Sequence, residues 1–393
     1  MINLNEHKQF STIPLLRLGF RPFFFGSGVI ATLAMILWVF FYQSIITTNN
    51  VAPSVWHAHE MIFAYSSAVM VGFLLTASRN WTGIQTIYNK PLLALFVLWV
   101  SGRFPFFLDS EYLLYQAIID TSFLVFSTIA ISYPIIKGRN WINISIISKI
   151  LLIAISHIVY YLGIFGVIED GINIGLLLGF YLIISLIFMM SRRLIPFFIE
   201  RGLGLSIELK NSKLLDISSL LLFLVFIIVE IFFQTAISNF IAGILFVIHI
   251  IRMKNWYQNG IWEKSLLWSI YLSYGLLTLG FGLKAISYFI ELLPNIYVHS
   301  FAFGIALMTL SLMSRVSLGH TGRNVFDPPK QLNLIFTLLV LSFVFRVIVI
   351  SISVEHYSLW VFISQALWVV SFAYFVFIYA PMFFKARVDG QFG

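Results

Sequence analysis

Residues 331–352 read QLNLIFTLLVLSFVFRVIVISI, an apolar run broken by one charged side chain, Arg346. At 1.5 Å rise per residue, a helix of about 20 such residues crosses the roughly 30 Å hydrocarbon core of a bilayer. Runs of this kind recur along the chain, with expected cores at 21–42, 56–77, 91–108, 112–135, 142–165, 172–190, 214–235, 237–252, 265–290, 296–315, 331–352 and 358–382. Hydrophobic residues make up 60% of the 393 and charged residues only 10%, where a soluble domain carries about 25%. The pattern predicts an all-α integral membrane protein of about twelve transmembrane helices, forming a single polytopic domain over residues 1–393. Segments of about 10 alternating residues, the mark of an outer-membrane barrel, are absent. The first twelve residues are polar and lead to no cleavage site, so the first helix is expected to act as the insertion signal.

The basic residues set the expected orientation. Of the 24 Lys and Arg, all but Arg103, Lys149, Lys284 and Arg346 fall at the N-terminus, after even-numbered helices, or in the C-terminal tail. The positive-inside rule then puts both termini in the cytoplasm. The net charge of +8 is scattered over short loops without a run of five, so it reads as a topology signal and not as a nucleic-acid surface. The absence of cysteine excludes disulfides, thiolate-bound iron–sulfur clusters or haem, and covalent haem attachment. A metal would have to be held by His, Met, carboxylate or backbone, and the methionines are scattered at core-like positions.

Polar groups concentrate towards the outer face. Trp56-His57-Ala58-His59-Glu60-Met61 opens the second span, and His299 opens the tenth. Arg103, Asp120, His157, Glu230, Lys284 and Arg346 are expected in the outer halves of other spans. Ionisable groups within a bilayer cost roughly 2.5–3.5 kcal/mol each on insertion scales, and persist when they pair, line water or serve a ligand. Neutral imidazoles suit haem iron or copper, so His57, His59, His157 and His299 are candidate metal ligands of a composite site. Arg103, Lys284 and Arg346 could neutralise haem propionates, line a substrate path, or pair with Asp120, Glu230 and Glu60. His57 and His59 are two residues apart and point about 200° from each other in a regular helix, so both can reach one metal only if the helix begins after them.

On the cytoplasmic side, the stretch Ser314 to Arg323 ends Gly319-His320-Thr321-Gly322-Arg323. It reads either as an anion-binding loop or as a helix C-cap with interfacial charges.

Taken in order, Leu18-Gly19-Phe20-Arg21-Pro22-Phe23-Phe24, the Trp56–Met61 segment, Asn80-Trp81-Thr82-Gly83, Gly102-Arg103, Arg193-Leu194-Ile195-Pro196-Phe197-Phe198 and Arg315–Arg323 resemble the NnrS family. The resemblance covers about four-fifths of the chain. It implies a multi-pass protein of the bacterial cytoplasmic (inner) membrane with twelve helices, carrying non-covalent b-type haem and copper. It also implies a role in nitric oxide metabolism and protection against nitrosative stress, with nitric oxide as a ligand. Carried over by position, His57, His59, Glu60, Arg103, His299, His320 and Arg323 are the residues expected to matter. Tyr271 stands where the family pattern has a histidine. The residues themselves leave two other readings open: a secondary transporter of a small anion or proton-coupled solute, and a non-catalytic cofactor-delivery protein.

Overall fold

The computed structural model describes residues 13–47, 51–103, 110–206, 208–209, 212–233 and 235–393. Among them there is no strand. The helices are α1 (Phe20–Tyr42), α2 (Pro53–Thr82), α3 (Asn89–Ser101), α4 (Leu113–Lys137), α5 (Ile144–Ile164), α6 (Gly171–Leu203), α7 (Lys213–Phe232), α8 (Ala236–Trp256), α9 (Ser265–Ile286), α10 (Ile296–His320), α11 (Gln331–Ile352) and α12 (Tyr357–Phe384). All but α3 are long and apolar enough to cross a membrane. The predicted third core, 91–108, begins within α3, and its residues 104–108 lie outside the described part of the chain. The first twelve residues, read as polar and without a cleavage site, lie outside it as well.

The chain divides into two compact units. One comprises residues up to Phe180 together with Met313–Val325 and Phe372–Gly393. The other comprises Tyr181–Leu312 and Phe326–Ser371.

In the first unit, α5 meets the start of α6 at backbone distance. A Cβ placed on Gly175 would lie 2.5 Å from the Tyr160 amide nitrogen, and one on Gly163 would lie 2.2 Å from that of Ile172. Small residues permit this approach where dispersion and close packing, not water exclusion, hold helices together in lipid. The contact brings the buried side chains of α5, His157, Tyr160 and Tyr161, against α2. Within α2, residues Glu60–Ser66 form a π-turn, a widening that recurs at functional sites. Ser66 and Ser67 there donate to the Met61 and Ile62 carbonyls, five residues back. The Trp99 indole of α3 donates to Ala64 O within the same turn at 3.2 Å.

The C-terminal segment of this unit is clasped by Arg21, which is fully buried. Its guanidinium donates to the carbonyls of Met382, Phe383, Lys385 and Gly393 at 2.8–3.0 Å. Arg79 lies over the Phe392 ring at 4.8 Å. Arg387 makes a two-pronged pair with Asp389 and holds that exposed carboxyl down at about 2.

In the second unit, the rings of Phe188 and Phe281 flank His249 with centroids 4.2 and 5.6 Å away. The His249 Nδ1 is 2.6 Å from the Tyr274 hydroxyl, which also accepts from Arg252.

Candidate metal centre

Four elements of the first unit deliver one buried polar cluster. From α2 come His59 and Glu60, from the turn after α3 Arg103, from α4 Asp120 and Thr121, and from α5 His157, Tyr160 and Tyr161. His59 and His157 are fully buried, and Asp120, Glu60 and Arg103 are nearly so. The two imidazoles face each other through Nε2 at 3.1 Å. Asp120 Oδ2 lies 3.3 Å from the first of these nitrogens and 3.4 Å from the second. Two nitrogens and one carboxylate oxygen therefore converge in a buried group that could hold a metal ion.

The outer partners orient that group. Glu60 Oε1, which can only accept, is 3.1 Å from His59 Nδ1. A ligating, neutral His59 would therefore carry its proton on Nδ1 and turn the Nε2 lone pair to the centre. Thr121 Oγ1 holds His157 Nδ1 at 3.0 Å. Arg103 donates to Glu60 Oε1 at 2.7 Å, to Asp120 Oδ1, and to the Trp99 carbonyl at 3.3 Å. Tyr161 donates to Asp120 Oδ2 at 3.3 Å. Gly102 permits this packing, since a Cβ there would lie 2.8 Å from Asp120 Oδ1. Hydrogen-bonded outer partners of this kind hold metal-binding histidines in one tautomer and orientation.

The remaining candidates have other surroundings. His57 and His59 both lie within the helical first turns of α2, so they diverge as their spacing requires. His57 stacks on Trp38 of α1 at 4.5 Å, while His59 turns to α5. In the second unit, Lys284 donates to Glu230 Oε1 at 2.7 Å, and Tyr297 donates to the same oxygen at 3.1 Å. His299 Nδ1 is 2.8 Å from the Asn295 carbonyl. Arg346 sits in a π-turn, Val344–Val349, within α11. Of the readings left open for the three bases, ion pairing is what surrounds Arg103 and Lys284.

His320 and Arg323 belong to a helix end. Gly322 has φ +77°, and the Arg323 amide reaches back to Leu318 O at 2.9 Å, which is a C-cap. His320 Nδ1 lies 3.1 Å from the Val316 carbonyl, to which it donates, so its Nε2 accepts from Asn80 at 3.2 Å.

From the sequence, Asp120 reads as an ion-pair partner or as part of an anion or proton route, not as a ligand, and Thr121 is passed over. An aspartate followed by a threonine inside an apolar span was the available signal. Tyr160 and Tyr161, at i+3 and i+4 from His157, share its helix face.

Beside the cluster, a cavity of about 310 Å³ opens between α4 and α5 on a face rich in exposed apolar side chains. Thr121 and Tyr161, both bonded to that buried group, are part of its lining, with Ala117, Ile118, Val125 and Ile158.

A search of curated proteins returns no match. A family model described as NnrS protein matches residues 14–387, nearly the full length, and the chain therefore belongs to the NnrS family.

Proposed function

We propose that this multi-pass protein holds a metal ion at His59, His157 and Asp120 and binds nitric oxide there, acting in the nitric oxide response and in protection against nitrosative stress. One observation carries the reading: two imidazole Nε2 atoms and a carboxylate oxygen converge within 3.1–3.4 Å at a fully buried point. Copper fits this donor set, since imidazole is a favoured copper ligand. When bound, the ion would supply a coordination position for a small neutral molecule. Haem, the other group the family implies, finds less support, because Arg103 and Lys284 each already neutralise a carboxylate.

The protein's own groups do the positioning. Arg103 and Tyr161 fix Asp120, Glu60 sets the tautomer of His59, and Thr121 fixes His157. Burial excludes water, and the cavity between α4 and α5 offers a neutral gas dissolved in the bilayer a short path to Thr121 and Tyr161. The basic residues after even-numbered helices support an orientation in the bacterial inner membrane with both termini in the cytoplasm.

Metal analysis and visible spectra of purified protein test the reading. Stoichiometric copper that is lost in both His59→Ala and His157→Ala supports it. Well-folded protein with neither copper nor a nitric-oxide-sensitive spectrum would refute it. The half-buried Lys284–Glu230 pair keeps a transport reading in view. Proteoliposome uptake that needs Lys284 but not His59 would favour that alternative.

A further inference from the structure

We infer that the charge of the buried cluster selects a monovalent metal ion, copper in its cuprous state, over divalent ions. This rests on the metal-site reading above and adds the oxidation state. Among the described residues, the cluster contains two carboxylates, Glu60 and Asp120, one guanidinium, Arg103, and two imidazoles that must be neutral to ligate. The sum is one negative charge.

The cluster is almost wholly removed from solvent, so net charge cannot be relieved by water. A buried charge without a partner is costly, whereas a neutral assembly is not penalised in this way. One positive charge makes the cluster neutral, and a divalent ion leaves it positive. Sodium and potassium are hard ions that prefer oxygen ligands. Cuprous copper, with silver(I) as its redox-inert analogue, is a monovalent ion that takes imidazole nitrogen. Arg103 is central to this selection. It is not one of the converging ligand atoms, yet it cancels one of the two carboxylate charges and so sets the valence that the site favours.

Changing the charge without changing the ligands separates this inference from the site reading. Competition between silver(I) and zinc(II) for the purified full chain in detergent gives a selectivity ratio that needs no turnover. Replacing Arg103 by Gln leaves two negative charges, and the ratio is expected to shift towards zinc by at least about tenfold. Glu60→Gln makes the ion-free cluster neutral and should weaken both ions, zinc more than silver. Arg103→Lys keeps the charge and should keep the ratio, which guards against a mere folding defect in Arg103→Gln. An unchanged ratio in Arg103→Gln, or the same ratio shift in Arg103→Lys as in Arg103→Gln, overturns the selection by charge. Failure of folded wild-type protein to bind either ion would instead overturn the metal site itself.

Discussion

Arg103 and Asp120 form a direct ion pair through one carboxylate oxygen, while the other oxygen of Asp120 faces the Nε2 atoms of His59 and His157. A single carboxylate thus has two tasks, each assigned to a different oxygen. Replacing Arg103 by Met should leave Glu60 and Asp120 buried without a cation and cost about 3–5 kcal/mol. A fall in the unfolding midpoint of purified protein would show it, and an unchanged midpoint would contradict the pairing.

Removing a ligand and removing its support should differ in size. His59→Ala and His157→Ala are expected to abolish metal binding. Thr121→Val, which takes away only the hydrogen bond to His157 Nδ1, should weaken it by about 10–100-fold. Metal titrations of the three variants measure the order, and equal losses in all three would contradict the division of roles.

Gly175 should tolerate no large side chain, because its Cβ position lies 2.5 Å from the Tyr160 backbone nitrogen and 2.7 Å from the Ser156 carbonyl. Gly175→Leu is expected to push α6 from α5, costing more than about 1–3 kcal/mol. Metal content should fall with stability, since His157 rides on the same helix. A Leu variant with wild-type stability would refute the close helix contact.

Arg21→Ala should release the C-terminal segment. Four carbonyls lose their donor, and each that stays buried costs about 1–3 kcal/mol. Faster amide exchange over residues 385–393, with the metal site intact, is the expected result.

The Arg387–Asp389 pair gives that segment an acid limit. A carboxylate held below its unfolded value contributes stability in full above about pH 4, and loses it as pH falls through about 2. A carbon-13 carboxyl titration of Asp389 should show a midpoint near 2. A midpoint near 4 would mean the pair does not form in solution.

Much was legible in the sequence. Runs such as 331–352 determine membrane helices because a bilayer leaves no other partner for backbone polar groups, so length and apolar content suffice. The divergence of His57 and His59 followed from helix geometry alone, and the G-H-T-G-R segment carried a C-cap as one of its two readings. The partners were a different matter. Glu60, Arg103, Asp120 and His157 are separated by up to about a hundred residues, and their spacing along the chain says nothing about which helices touch. That was decided by backbone approach at Gly175, by the width of the π-turn after His59, and by the room that Gly102 leaves for Asp120. The sequence by itself determined which charges would have to find partners in the membrane. Only the packed structure decided which ones did, because pairing depends on side chains brought within about 3 Å by helices that are distant in the chain.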